Sequence, residues 1–206
     1  YKETKFKAQN FYPEFEYETS NGTEFSIDEN GKLVFYFDFD REVNDTVLSQ
    51  DECVQKAKEF LKDIVDITPY TVNVVDDAED KYYKIYFAKN INGIKTTDHM
   101  RVRVSYDGTI YSYSAFMLDR VPVNTQTEDI DFEKIEQAVI TKADSIYKDI
   151  KDNYDRIDYG QPEYILTILK DGKRAVICTI EVNAVVVQGI YEARTPEQLQ
   201  MVIPVD

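Results

Sequence analysis

His99 is the only histidine of this 206-residue chain, and Asp98 precedes it. A carboxylate beside an imidazole strengthens its hold on a proton and can ready it for general acid or base work. The pair falls at the rim of a predicted hairpin, however, where an imidazole is ordinarily just solvated. No H-E-x-x-H, G-x-S-x-G or P-loop accompanies it. The two cysteines, Cys53 and Cys178, lie outside any C-x-x-C or His/Cys cluster, so no zinc site is expected. Both sit in apolar surroundings and read as small core residues; whether they bridge is left open. The run Asp76-Asp77-Ala78-Glu79-Asp80 lacks the alternation and distal glutamate of an EF-hand and is read as a solvated loop. Asp38 and Asp40 share one strand face by period alone and read as a polar edge. No facing carboxylate pair of the kind glycoside hydrolysis requires is identified. These residues predict a protein that is not an enzyme and needs neither metal nor cofactor.

The inventory is better suited to binding. The chain has 16 tyrosines and no tryptophan. Tyrosine suits a sheet face that meets water, because the ring is buried while the hydroxyl stays wet. Tyr106, Tyr111 and Tyr113 cluster, and Tyr111 and Tyr113, two apart, are placed on one strand face as an aromatic stripe. Arg101 and Arg103, with Lys95, alternate with apolar residues and are placed on the wet face of a central strand, open to an acidic partner. These five, Tyr106, Tyr111, Tyr113, Arg101 and Arg103, are the candidate binding residues.

The segment that must position them runs from Lys81 to Met117. Tyr83, Ile85 and Phe87 alternate with polar neighbours, as do Met100, Val102 and Val104. Asn92-Gly93 and Asp107-Gly108 supply turns that accept positive φ, so three antiparallel strands are predicted. Upstream, Ser49-Gln50-Asp51-Glu52 is a capping box that opens a helix to about Asp66. Its stripe, Cys53, Ala57, Phe60, Leu61 and Ile64, faces a core. Phe60, Leu61, Ile85, Phe87, Val102, Val104 and Ile110 are expected to bury together, with Arg101 and Arg103 opposite. A second helix begins near Asp131 with the stripe Ile135, Val139, Ala143, Ile146 and Ile150. Strands follow at 164–169, 175–181, 185–191 and 201–205. A turn is read at Asn183-Ala184, a helical turn at 195–199, and a polar loop at 151–162. Before the first helix come a strand around Phe15 and Tyr17 and a hairpin through Asp28-Glu29-Asn30-Gly31.

The hairpin residues carry a resemblance. Tyr83-x-Ile85-x-Phe87, Asn92-Gly93-Ile94 and Val102-x-Val104-x-x-Asp107-Gly108-x-Ile110 resemble the PepSY group of modules, found in propeptides of thermolysin-like proteases and as C-terminal repeats of YpeB-like germination proteins. Gly31-Lys32-Leu33-Val34, the stretch Arg41 to Ser49, and Ala57 to Leu61 follow the same order. The resemblance implies an α+β fold of tandem PepSY-like modules, each a helix on a three- to four-stranded antiparallel sheet. Segments 1–48 (strands and hairpin of a truncated module), 49–124 and 125–206 are the expected divisions. It also implies an extracytoplasmic, secreted or envelope-anchored protein whose signal or anchor has been removed. Such a protein regulates or inhibits a protein partner, a protease or cell-wall hydrolase, in trans. A glycan or peptidoglycan binder using the tyrosine stripe is the alternative.

Charge narrows the partners further. With 24 Lys and Arg against 39 Asp and Glu, the net charge is −15. A phosphate backbone or an anionic membrane surface is repelled, and no apolar run is long enough to span a bilayer.

Overall fold

A computed structural model describes residues 2–4, 15–39, 44–148, 154–188 and 190–205. It divides into two units, Tyr1–Asn90 with Thr96–Val123, and Ile91–Lys95 with Asn124–Asp206. The fold is α+β. None of the helices among the described residues is long and apolar enough to cross a membrane.

The first unit contains β1 (Lys2–Thr4), β2 (Phe15–Glu18), β3 (Glu24–Ile27), β4 (Leu33–Phe37), α1 (Gln50–Leu61), β5 (Tyr70–Asp77), β6 (Tyr82–Ile91), β7 (Ile94–Ser105) and β8 (Ile110–Met117). Its strands pair in the order β1-β2-β3-β4-β8-β7-β6-β5. The hairpin before α1 therefore joins the same sheet, through Phe35↔Ser114, Tyr36↔Tyr113 and Phe37↔Ser112.

Helix α1 starts where the capping box places it. Ser49 accepts from the Glu52 N–H, and the Glu52 carboxylate accepts from the Ser49 N–H. The helix ends at Leu61, short of Asp66, but its stripe lands as the spacing requires. Cys53, Ala57 and Leu61 are fully buried with Ile85, Phe87, Met100, Val102, Val104 and Tyr113. Phe60, Ile64 and Ile110 pack half-buried around them. Burying a leucine such as Leu61 contributes about 1.5–3 kcal/mol. A register slip by one residue would turn this whole set to water, so the valines of β7 pin the register.

The acidic run is not a loop throughout. Asp76 and Asp77 extend β5, and Asp77 pairs with Lys84 on β6. Asp40 lies outside the described residues, as do residues 41–43 of the linker.

The second unit contains α2 (Phe132–Tyr147), β9 (Arg156–Tyr159), β10 (Glu163–Ile168), β11 (Arg174–Gln188) and β12 (Tyr191–Pro204). Asp131 caps α2 by accepting from the Lys134 N–H. Ile135, Val139, Ala143 and Tyr147 are buried, while Ile146 is 48% exposed. The stripe therefore continues at Tyr147 in place of Ile146, and Ile150 lies outside the described residues.

Three further expectations are corrected here. Asn183-Ala184 is no turn: β11 runs through it and pairs with β12 from Ala175↔Pro204 to Gln188↔Tyr191. Residues 195–199 are strand, not helix; Pro196 is tolerated because β12 is an edge whose other side has no ladder to supply among the pairings of this unit. The stretch read as a polar loop contains β9, which pairs with β11 at Val182↔Tyr159 to Val185↔Arg156. Helix α2 is tied to this sheet by tyrosines, Tyr159 to Asp144 at 2.9 Å and Tyr147 to Glu197.

Candidate functional site

Strand alternation in β7 sends Met100, Val102 and Val104 to α1 and leaves His99, Arg101 and Arg103 on the opposite face. Two rows cross that face: Phe35–Ser114–Arg101 and Phe37–Ser112–Arg103, in successive registers of β4, β8 and β7. Two serines thus form a low floor between a phenylalanine side and an arginine side. The Phe37 ring lies 4.9 Å from Tyr111 and 4.3 Å from Phe39, and Tyr111 lies 5.7 Å from Tyr82. The Arg103 guanidinium stands 5.5 Å from the Tyr82 ring centroid, within cation–π range. His99 stacks on Phe116 at 4.4 Å. Among the described residues of this unit, no helix covers this face.

The Nε atoms of Arg101 and Arg103 are buried and have no hydrogen-bond partner. A buried donor left unmade costs free energy, so these two positions stand out in a chain so rich in acids.

The predicted tyrosine cluster is split three ways. A bulge shifts the β7–β8 register between Arg103 and Val104, so Val104 faces Ile110 while Arg103 faces Ser112. The extra residue reverses the parity of the strand. Tyr111 consequently joins the face of Arg103 and Phe37, whereas Tyr113 turns inward, fully buried, with its ring 5.5 Å from Phe60. Tyr113 is a core residue, and the expected shared face with Tyr111 does not exist. Tyr106 packs 5.0 Å from Tyr83 and donates to Asp76 Oδ1 at 2.6 Å. That hydrogen bond, with partial desolvation, pushes its phenol up to about 12.

On the helix side, a buried polar cluster escaped sequence reasoning. Lys89 Nζ lies 3.3 Å from Asp98 Oδ2, and the Val121 N–H donates to the same oxygen at 3.1 Å. Asp119 approaches Lys89 to 3.9 Å and pairs with Lys32. Asp98 Oδ1 and the hydroxyls of Tyr70 and Tyr113 are buried without a partner. Burial, followed by the charges of Asp98, Asp119 and Asp66, raises the Tyr70 phenol. Burial also raises Tyr113, with smaller contributions from Tyr70 and Asp119. The signal was present in the parity: Lys89 follows Ile85 and Phe87 at intervals of two, and Asp98 precedes Met100 and Val102. The same parity separates Asp98 from His99, one inside and the other exposed.

No metal centre assembles: no group of three His, Cys, Asp or Glu that could hold an ion occurs among the described residues. Cys53 and Cys178 are free and buried. Desolvation pushes the Cys53 thiol up to about 11 and raises that of Cys178.

The first unit is therefore a helix-backed antiparallel sheet with one face filled by core and the other lined by half-buried arginine and aromatic side chains around the buried Tyr82 and Ser112. Residues 2–115, more than half of the chain, match the family of the YcdB, YcdC repeated domain. The chain belongs to that family. A solved structure, the Bacillus megaterium YpeB C-terminal domain, is 14% identical, with 91% of this chain and 82% of that one covered at a TM-score of 0.44. No curated protein matches.

Proposed function

We propose that this protein is a non-enzymatic, extracytoplasmic binding module that docks a protein partner on the sheet face of its first unit opposite α1, and that the partner is an envelope protease or cell-wall hydrolase it regulates or inhibits. The observation that supports the docking surface is the row of half-buried Phe35, Phe37 and Tyr111 beside Arg101 and Arg103, on a face without a helix among the described residues. Aromatic and arginine side chains are the usual anchors of protein interfaces. The resemblance to PepSY-type modules supports the location, the class of partner and the reading of 49–124 and 125–206 as tandem modules. The residue inventory supports a binder over a catalyst. The tyrosine stripe required by the glycan reading loses its centre with Tyr113 in the core.

The test is a capture comparison. Immobilised protein and its Tyr111→Ala variant are exposed to purified envelope proteases and cell-wall hydrolases, and in parallel to insoluble peptidoglycan. Binding of an enzyme with a change in its turnover, weakened by Tyr111→Ala, is the expected result. Sedimentation with peptidoglycan and no enzyme binding overturns the reading in favour of the glycan. Turnover of peptide or glycan by the protein alone overturns the non-enzyme reading.

A further inference from the structure

The edge of a sheet carries backbone groups without a ladder, and proteins ordinarily blunt it with proline, charge or a bulge. Parity shows which groups those are, because antiparallel strands alternate between residue pairs that exchange hydrogen bonds and pairs that point theirs away. In the second unit Val205 donates to the Arg174 carbonyl at 3.1 Å, continuing the β11–β12 register. Every second residue of β12 from Tyr191 therefore bonds to β11, and those between face outward. Pro196 and Pro204 both fall on outward positions, where a missing N–H blunts the edge.

The other edge is left unguarded. In the first unit Asn90 donates to the Pro69 carbonyl at 3.0 Å, continuing the β5–β6 register of Tyr70↔Lys89 to Asp77↔Tyr82. Thr71, Asn73, Val75 and Asp77 thus bond to β6, while Tyr70, Val72, Val74 and Asp76 point their backbone groups outward. The Tyr70 N–H donates to the Ile67 carbonyl; those of Val72, Val74 and Asp76 meet no partner among the described residues. No proline or bulge interrupts β5. The strand is reachable: Val72 is 37% and Val75 45% exposed, and Thr71, Asn73 and Asp76 are exposed as well.

We infer that the free edge of β5 is a strand-addition site for an extended segment of a protein partner that carries lysine or arginine where it passes Asp76–Asp80. This surface is separate from the sheet face opposite α1 and does not rest on it. The donors at Val72, Val74 and Asp76 recur at the two-residue period with which an extended chain presents its own carbonyls. Val72 and Val75 lie on opposite faces of the strand and offer apolar contact on both sides of the new ladder. Charge selects the occupant. Asp76, Asp77, Glu79 and Asp80 close one end of the edge. Lys84 pairs with Asp77, while Asp76, Glu79 and Asp80 stand exposed to meet a cation on the incoming strand. A second copy of the chain fits poorly. Pairing β5 with itself antiparallel, Val72 opposite Val74, sets each acidic end against Thr68-Pro69-Tyr70, which holds no cation, and brings together two chains of net charge −15.

Random linear peptides displayed on phage and panned on the purified full chain test this. Selected peptides are expected to hold a run of apolar or β-branched residues with Lys or Arg at one end. Their affinity is read by fluorescence anisotropy. N-methylating the peptide backbone at alternate residues should abolish binding in one parity and spare it in the other, because an added strand turns only half its amides toward β5. That change leaves the protein untouched. Val72→Pro removes one outward N–H and no bond to β6, and should weaken binding about tenfold, with Val72→Thr close to wild type. Glu79→Gln/Asp80→Asn should weaken it about threefold or more, and so should Gln in place of the peptide's basic residue. Binding indifferent to N-methylation parity and to Val72→Pro, or recovery of no peptide, overturns the inference. Peptides lost with Tyr111→Ala but not with Val72→Pro overturn the edge site and leave the face opposite α1 standing. Parity dependence without a basic preference overturns the assignment of the occupant. Self-association in sedimentation velocity that Val72→Pro abolishes assigns the edge to a contact between copies and overturns the inference.

Discussion

Lys89 and Asp98 meet inside the first unit, the ammonium nitrogen 3.3 Å from the carboxylate, with their side chains 3% and 0% exposed. They join β6 to β7, and the Val121 N–H adds the segment that follows β8. Removing water from both charges costs free energy that their attraction only roughly offsets, so breaking the pair is worse than never having it. Lys89→Met should destabilise the protein by about 3–5 kcal/mol, read from chemical denaturation. Lys89→Met/Asp98→Leu should regain most of that loss. Equal instability of the single and double variants would show that the pair contributes its attraction in full.

Tyr113 places a hydroxyl in the core with no partner. Tyr113→Phe should be neutral or stabilising by up to about 1–3 kcal/mol, the desolvation cost of an unmade hydroxyl. The same phenol makes an alkaline prediction. Its pKa is raised in the folded state, so its contribution is complete below the unfolded value near 10. As pH rises past that value, the unfolded chain sheds the proton first. Stability then falls by about 1.4 kcal/mol per pH unit for this group. Denaturation midpoints between neutral and strongly alkaline pH should show a shallower fall in the Phe variant.

Gly108 closes the β7–β8 hairpin at φ +88°, and a Cβ there would meet Leu48 Cδ1 at 2.7 Å. Leu48 is held to this turn by its N–H to the Tyr106 carbonyl. Gly108→Ala should cost about 1–3 kcal/mol and loosen the entry to α1. Gly93→Ala has the same backbone strain at φ +83° but no atom within 4 Å, so its melting temperature should drop less.

Cys53 and Cys178 should resist thiol reagents in the native protein, because each is buried and its thiol raised. Labelling with a chromogenic disulfide reagent should be complete only after denaturation. Fast labelling of the folded protein would mean that α1 or β11 opens on the time scale of the assay.

Local and periodic features were readable in the residues themselves. Ser49 and Glu52 define a helix start because both halves of the capping box lie within one turn. Val102 and Val104 separate from Arg101 and Arg103 because a strand has only two faces and one is apolar. Asn92-Gly93 and Asp107-Gly108 mark hairpins because few residue pairs accept positive φ. Tertiary packing decided what these rules leave free. One extra residue at the Arg103–Val104 bulge moved Tyr113 into the core and left Tyr111 outside, against simple alternation. Pro196 and the Asn183-Ala184 pair sit inside long strands because β11 and β12 support each other across fourteen residue pairs, which outweighs the local preference for turns. Lys89 and Asp98 are buried because each neutralises the other, and a charge's partner across a hairpin is visible only once the strands are paired.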